Sequence, residues 1–142
     1  MKKLYLIGGT MGVGKTAVSQ QLKKDLPNSV FLDGDWCWDA NPFQVTEETK
    51  TMVTDNICYL LNNFLHCSAY ENIIFCWVMH EQHIIDSIIE NVDNSKVSIG
   101  NTVKIKYNLG RNKFEEYDVV IKELYKHVFI VKLNKFYVII YT

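Results

Sequence analysis

The chain has 142 residues, 48% of them hydrophobic and 22% charged, with a formal net charge of −1. This suits one ordinary globular domain or two small ones, and excludes a wholly disordered or collagen-like chain. No apolar run approaches the ~18–20 residues a membrane span needs, and Gly8-Gly9 ends the apolar start too early for a signal peptide, so a cytoplasmic setting is expected.

Leu4–Ile7 is a short, continuous apolar run, the pattern of a strand buried on both faces. A glycine-rich turn follows, then a helix from about Lys15 to Leu26 with Val18, Leu22 and Leu26 on one face and Pro27 as its stop. Val30-Phe31-Leu32 reads as a second strand. Thr46 is a helix N-cap candidate, with Glu47 and Glu48 in the first turn, where the helix dipole favours acids. Val53, Ile57, Leu60, Leu61 and Phe64 continue that helix as an apolar stripe. Ile73–Val78 is a third apolar strand, and Ile84, Ile85, Ile88, Ile89 and Val92 mark a further helix. The order βαβαβα predicts a parallel, three-layer α/β unit.

At Asn91–Ser95 the pattern changes to polar, turn-prone residues. Beyond it Val97, Ile99, Val103, Ile105 and Tyr107 alternate with mostly polar neighbours. Val119–Leu124, Val128–Leu133 and Tyr137–Tyr141 are further β-rich runs, with turns expected at Asn108-Leu109-Gly110 and Leu133-Asn134-Lys135. Charge divides at the same place. Residues 1–95 carry six lysines and no arginine against twelve acids, a net of −6. Residues 96–142 carry eight lysines and Arg111 against four acids, a net of +5. Two modules are expected, 1–95 and 96–142. Cys37, Cys58, Cys67 and Cys76 form no C-x-x-C pair and read as reduced thiols, mostly small apolar core residues.

Gly9-Thr10-Met11-Gly12-Val13-Gly14-Lys15-Thr16 fits G-x-x-x-x-G-K-[ST], the Walker A pattern, with an apolar strand before it and an amphipathic helix after it. Glycines let main-chain N–H groups approach an anion, and the helix N-terminus adds free N–H groups and its positive dipole end. All eight residues, 9–16, are therefore expected around the phosphates of ATP. Lys15 should reach the β- and γ-phosphate oxygens, and the Thr16 hydroxyl should ligate Mg²⁺.

With these residues, and with Leu32-Asp33-Gly34-Asp35-Trp36 closing the second strand, residues 1 to about 93 resemble the core of the P-loop kinases that phosphorylate nucleotides and other small molecules. The resemblance implies a P-loop NTPase-type unit, here with three strands, and Mg-ATP-dependent phosphoryl transfer to a small hydroxyl-bearing acceptor. It implies Asp35 as the acceptor-orienting base and Asp33 as a water-mediated Mg²⁺ partner, or the reverse. The residue-level alternative is that both are turn aspartates. Trp36 and Trp38 either sandwich a planar or sugar acceptor or pack over the sheet. The third strand ends without a Walker B aspartate. His80-Glu81-Gln82-His83 is not H-E-x-x-H and reads as helix-start capping or an acceptor contact rather than a metal site. The lid arginines usual in such kinases have no counterpart in residues 1–95. In related kinases the first strand lies between the third and a fourth. Here the edge of Leu4–Ile7 should therefore be covered by a strand from 97–142 or by a second chain.

Gly100-Asn101-Thr102-Val103-Lys104-Ile105-Lys106, Leu109-Gly110-Arg111-Asn112-Lys113 and Leu124–Leu133 resemble Veg proteins. That implies a small all-β, SH3-like barrel after the α/β unit. Lys104, Lys106, Arg111 and Lys113 read as a solvated basic face in preference to a nucleic-acid surface. The alternative to an enzyme is a nucleotide-binding module without turnover, fused to this basic β module.

Overall fold

Leu4–Ile7 forms the middle of β1 (Lys3–Gly8), followed by α1 (Lys15–Asp25), β2 (Ser29–Asp33), a 3₁₀ turn (Gly34–Cys37), α2 (Glu47–His66), β3 (Asn72–Trp77) and α3 (Gln82–Asn91). The computed structural model describes residues 2–9, 11, 12 and 14–96, and beyond them the strands at 124–125, 128–133 and 136–141. The expected βαβαβα order is present, and β1, β2 and β3 run parallel in the spatial order β2-β3-β1.

The continuous apolar strands follow from a sheet covered on both faces. Leu4 and Leu6 of β1 join Leu32, Ile73 and Phe75 beneath α2 and α3, where Val53, Ile57, Leu61, Leu65 and Ile88 are buried. Tyr5 and Ile7 point the other way and join Phe31, Ile74, Cys76 and Leu22, beneath α1. Period-2 alternation thus divides each strand between two cores, and both halves are apolar.

Local chemistry sets the helix ends. The Thr46 hydroxyl accepts from the Thr49 N–H at 3.1 Å, while the Thr49 hydroxyl accepts from the Thr46 N–H at 2.8 Å, a reciprocal cap. At the far end of α2 the Lys2 ammonium donates to the Cys67 carbonyl and, at 2.7 Å, to that of Tyr70. A cation there meets the negative end of the helix dipole. His66 Nε2 lies 2.8 Å from Asp93 Oδ2, and the Asp93 N–H donates to Asn62 Oδ1 at 2.7 Å, which ties the end of α3 to α2. Hydrogen bonds from Ser95, then His66, hold the Asp93 carboxyl below its ordinary range.

Three strands from the C-terminal part extend this sheet: β4 (Leu124–Tyr125), β5 (Val128–Leu133) and β6 (Phe136–Tyr141). The full order is β2-β3-β1-β6-β5-β4. β6 lies parallel to β1, with Leu4 opposite Phe136 and Gly8 opposite Ile140, and β5 pairs antiparallel with β6. The exposed edge expected along Leu4–Ile7 is therefore filled by this chain's own β6. An unpaired edge with apolar side chains on both faces is costly in water, which gives β6 a physical reason to sit there. The barrel expected over 96–142 rests mostly on residues outside those described, including the alternating run 97–107, the turn at 108–110 and Lys104, Lys106, Arg111 and Lys113. The strands that are described there join the α/β sheet. No helix among the described residues is long and apolar enough to cross a membrane.

Candidate nucleotide-binding site

The carboxyl ends of β1, β2 and β3 open onto one cleft of about 310 Å³. Ligands in open α/β sheets bind at this end of the strands. The cleft is lined by Met11, Gly12, Gly14, Lys15, Thr16, Ala17, Asp33, Asp35, Cys76, Trp77 and Val78. Of the expected phosphate residues, Met11, Gly12, Gly14, Lys15 and Thr16 are thus brought together with both aspartates. Gly9 follows β1 directly, and Thr10 and Val13 lie outside the described residues.

Gly12 and Gly14 adopt φ of +76° and +96°, left-handed values that a side chain disfavours. A Cβ at either position would meet nothing within 4 Å, so backbone conformation, not space, calls for glycine. Gly14 is also the N-cap of α1. It makes no side-chain cap there, and a helix N-terminus is an end that favours an anion.

Asp33 is fixed from two directions. Its Oδ1 accepts from the Asp35 N–H at 3.0 Å, and its Oδ2 lies 3.4 Å from the Thr16 hydroxyl, which donates. The first bond caps the 3₁₀ turn; the second points the carboxylate at the start of α1. A hydroxyl and a carboxylate converging at the mouth of a phosphate loop suit a hard divalent cation with several retained waters. Asp35 is exposed and lines the same cleft.

The Asp33-Gly34-Asp35 segment is more constrained than a free turn. A Cβ on Gly34 would lie 2.3 Å from Trp77 Cγ and 2.5 Å from Cδ1. The indole of β3 thus rests directly on this glycine and sets the height of both aspartates. Gly34→Ala is expected to cost ~1–3 kcal/mol through overpacking, seen as a clear drop in the midpoint of thermal unfolding. An unchanged midpoint would show that Trp77 moves aside freely.

Trp36 and Trp38 do not share a partner. Trp36 is 64% exposed and sets its ring edge-on to Phe31 at 5.3 Å. Trp38 packs on the core and lies 4.4 Å from Phe43. Packing therefore accounts for Trp38, while Trp36 is open to solvent. Glu81 receives both neighbouring imidazoles, His80 Nε2 at 3.3 Å and His83 Nδ1 at 3.0 Å. The segment leads into α3, but its N-cap residue Glu81 makes no side-chain cap hydrogen bond, so the expected capping is not made.

Cys76 and Ser19 were not legible as site residues. In register Cys76 sits beside Asp33, and it is a buried residue against the cleft. Burial first, then the Asp33 carboxylate, pushes its thiol up to about 11, against opposing hydrogen bonds from Ser19 and Thr16. The signal was available in its place at the carboxyl end of the third apolar strand. Ser19 is fully buried one turn into α1 and donates to the Lys15 carbonyl at 2.7 Å. At pH 8, Cys67, which is exposed, should react quickly with an aromatic disulfide reagent, while buried Cys58 and Cys76 should react only on unfolding. Equal rates for all three would contradict the packing described.

A parallel sheet, a glycine-rich loop with left-handed glycines, a lysine and threonine opening the next helix, and a carboxylate facing that threonine define a P-loop nucleotide-binding domain. The family model described as AAA domain matches residues 6–98, and the chain belongs to this family. The model of the biofilm formation stimulator VEG matches residues 83–138. No curated protein matches the chain. The crystal structure of APE1195 is similar at a TM-score of 0.49 and 20% identity, over 64% of this chain and 55% of that one. The chain thus spans about half the length of that relative.

Proposed function

We propose that the chain is a P-loop phosphotransferase that uses Mg-ATP to phosphorylate a small hydroxyl-bearing acceptor. The observation that carries this reading is the meeting of Lys15, Thr16, Asp33 and Asp35 in one cleft, with Asp33 aimed at the Thr16 hydroxyl. Residues 9–16 wrap the phosphates through main-chain N–H groups, and Lys15 adds a charge-assisted contact. Thr16 and Asp33 would hold Mg²⁺, which neutralises phosphate charge when bound. Asp35 orients the acceptor hydroxyl and takes its proton. The acceptor oxygen bonds to the γ-phosphorus, the bond from that phosphorus to the β–γ bridging oxygen breaks, and ADP leaves with the electron pair. Catalysis of this kind is mainly positioning and electrostatics. In this reading the protein works in the cytoplasm, and 96–142 is a Veg-like module appended to the nucleotide domain of 1–95.

A second reading is a nucleotide-binding module without turnover, whose basic C-terminal part contacts a partner. The absence of arginine from residues 1–95 favours it. The test is transfer of labelled γ-phosphate from ATP to a panel of hydroxyl compounds by the purified chain. Label in a compound supports the phosphotransferase; ATP binding with no transfer and no hydrolysis supports the binding module.

A further inference from the structure

We propose that His66 is a pH-sensitive pin: its imidazolium fastens the end of α3 to the end of α2, and loss of its proton releases the segment Asp93–Lys96 at the end of the α/β unit. The proposal goes beyond the phosphotransferase reading and stands without it. His66 Nδ1 lies 2.7 Å from the Asn62 carbonyl oxygen, and Nε2 lies 2.8 Å from Asp93 Oδ2. A backbone carbonyl and a carboxylate can only accept. A neutral imidazole carries one N–H, so one of these close contacts would set lone pair against lone pair. The imidazolium donates to both. Neither acceptor is free to turn away. The Asn62 carbonyl belongs to α2, and Asp93 Oδ1 accepts from the Ser95 N–H at 3.0 Å and the Ser95 hydroxyl at 2.6 Å.

Several elements meet at this point. The Asn62 side chain accepts from the Asp93 N–H at 2.7 Å and donates to the Asn91 carbonyl at 3.0 Å. The Asp93 carbonyl accepts from the Lys96 N–H at 3.2 Å, and the Lys96 carbonyl accepts from the Lys2 N–H at 2.9 Å, just before β1. Asp93 is thus the node through which α2 and α3 reach the first strand. The charges around the ring come from three elements. Asp93, after α3, and the negative dipole end of α2 favour the imidazolium. The Lys2 ammonium, set on the Phe64, Cys67 and Tyr70 carbonyls, opposes it. Hydrogen bonds from Ser95, then His66, hold the Asp93 carboxyl below its ordinary range, so the carboxylate is ionised throughout. Histidine changes charge between about pH 5 and 8. The pin is therefore in place in mildly acid solution and is lost as pH rises through the histidine range. On the acid side it fails only where Asp93 takes up a proton, below the usual aspartate range.

The test is amide hydrogen exchange of the full chain by NMR at pH 6 and pH 8, with each rate divided by the intrinsic rate at that pH. The ion pair is partly exposed, so the expected effect is moderate. Protection of the Asp93 and Ser95 amides should fall about three- to tenfold from pH 6 to pH 8, while that of the β3 amides stays level. His66→Gln, which keeps a neutral donor, should give the same protection at both pH values. Level protection in the wild type, a fall shared by β3, or an equal fall in the variant would overturn the proposal. The wild-type ring supplies a readout that needs no variant. With nitrogen-15-labelled histidine at pH 6, both ring nitrogens of His66 should carry a proton. A single protonated ring nitrogen there would equally overturn it.

Discussion

Asp35→Asn is expected to leave Mg-ATP affinity nearly unchanged while phosphoryl transfer falls by ~10²-fold or more. The amide keeps the size of the carboxylate but cannot accept a proton. Asp35 lines the cleft, yet its backbone N–H, not its side chain, supports Asp33. The substitution therefore leaves the Asp33 to Thr16 geometry in place. A parallel loss of ATP affinity would move Asp35 to the metal. Unchanged transfer would return it to the role of a turn residue.

Removal of residues 97–142 is expected to make the remaining chain precipitate or dimerise. β1 is the centre of the sheet only because β6 pairs along it from Leu4 to Gly8. Without β6, that edge presents unpaired N–H and C=O groups beside strand residues that are apolar on both faces. Leu4, Leu6 and Ile7 are now fully buried. Sedimentation of the 1–96 fragment checks this directly. A soluble, monomeric fragment that still binds ATP would show that the C-terminal part is a passenger and that β1 tolerates a free edge.

Much of this was legible in the sequence. The continuous apolar runs of β1 and β3 announced a sheet covered on both faces, because both side-chain sets had to be buried. Thr46 announced the start of α2 because an N-cap is a local matter of one hydroxyl and nearby N–H groups. The phosphate loop was readable because its glycines, lysine and threonine are adjacent in the chain. What adjacency does not carry was hidden. Gly34 looked like an ordinary turn glycine, whereas its necessity comes from Trp77, more than forty residues away on the neighbouring strand. Cys76 looked like core, because nothing local shows that Asp33 and Thr16 lie against it. The place of Phe136–Tyr141 beside β1 was foreseeable only as the need of an exposed edge. Which strand meets that need depends on long-range parallel pairing, which leaves no local mark.

The most direct measurement is calorimetric titration of Mg-ATP into the full chain and into its Lys15→Ala variant. Loss of a charge-assisted contact to phosphate should cost ~1.5–3 kcal/mol, a weakening of roughly 10–100-fold in Kd. Thermal unfolding of the two proteins should coincide, since Lys15 lies on the first turn of α1 at the cleft and not in either core. Binding by the wild type with this loss in the variant is the predicted result. Equal affinity in the two, or no binding by the wild type, would contradict nucleotide recognition by the loop at residues 9–16.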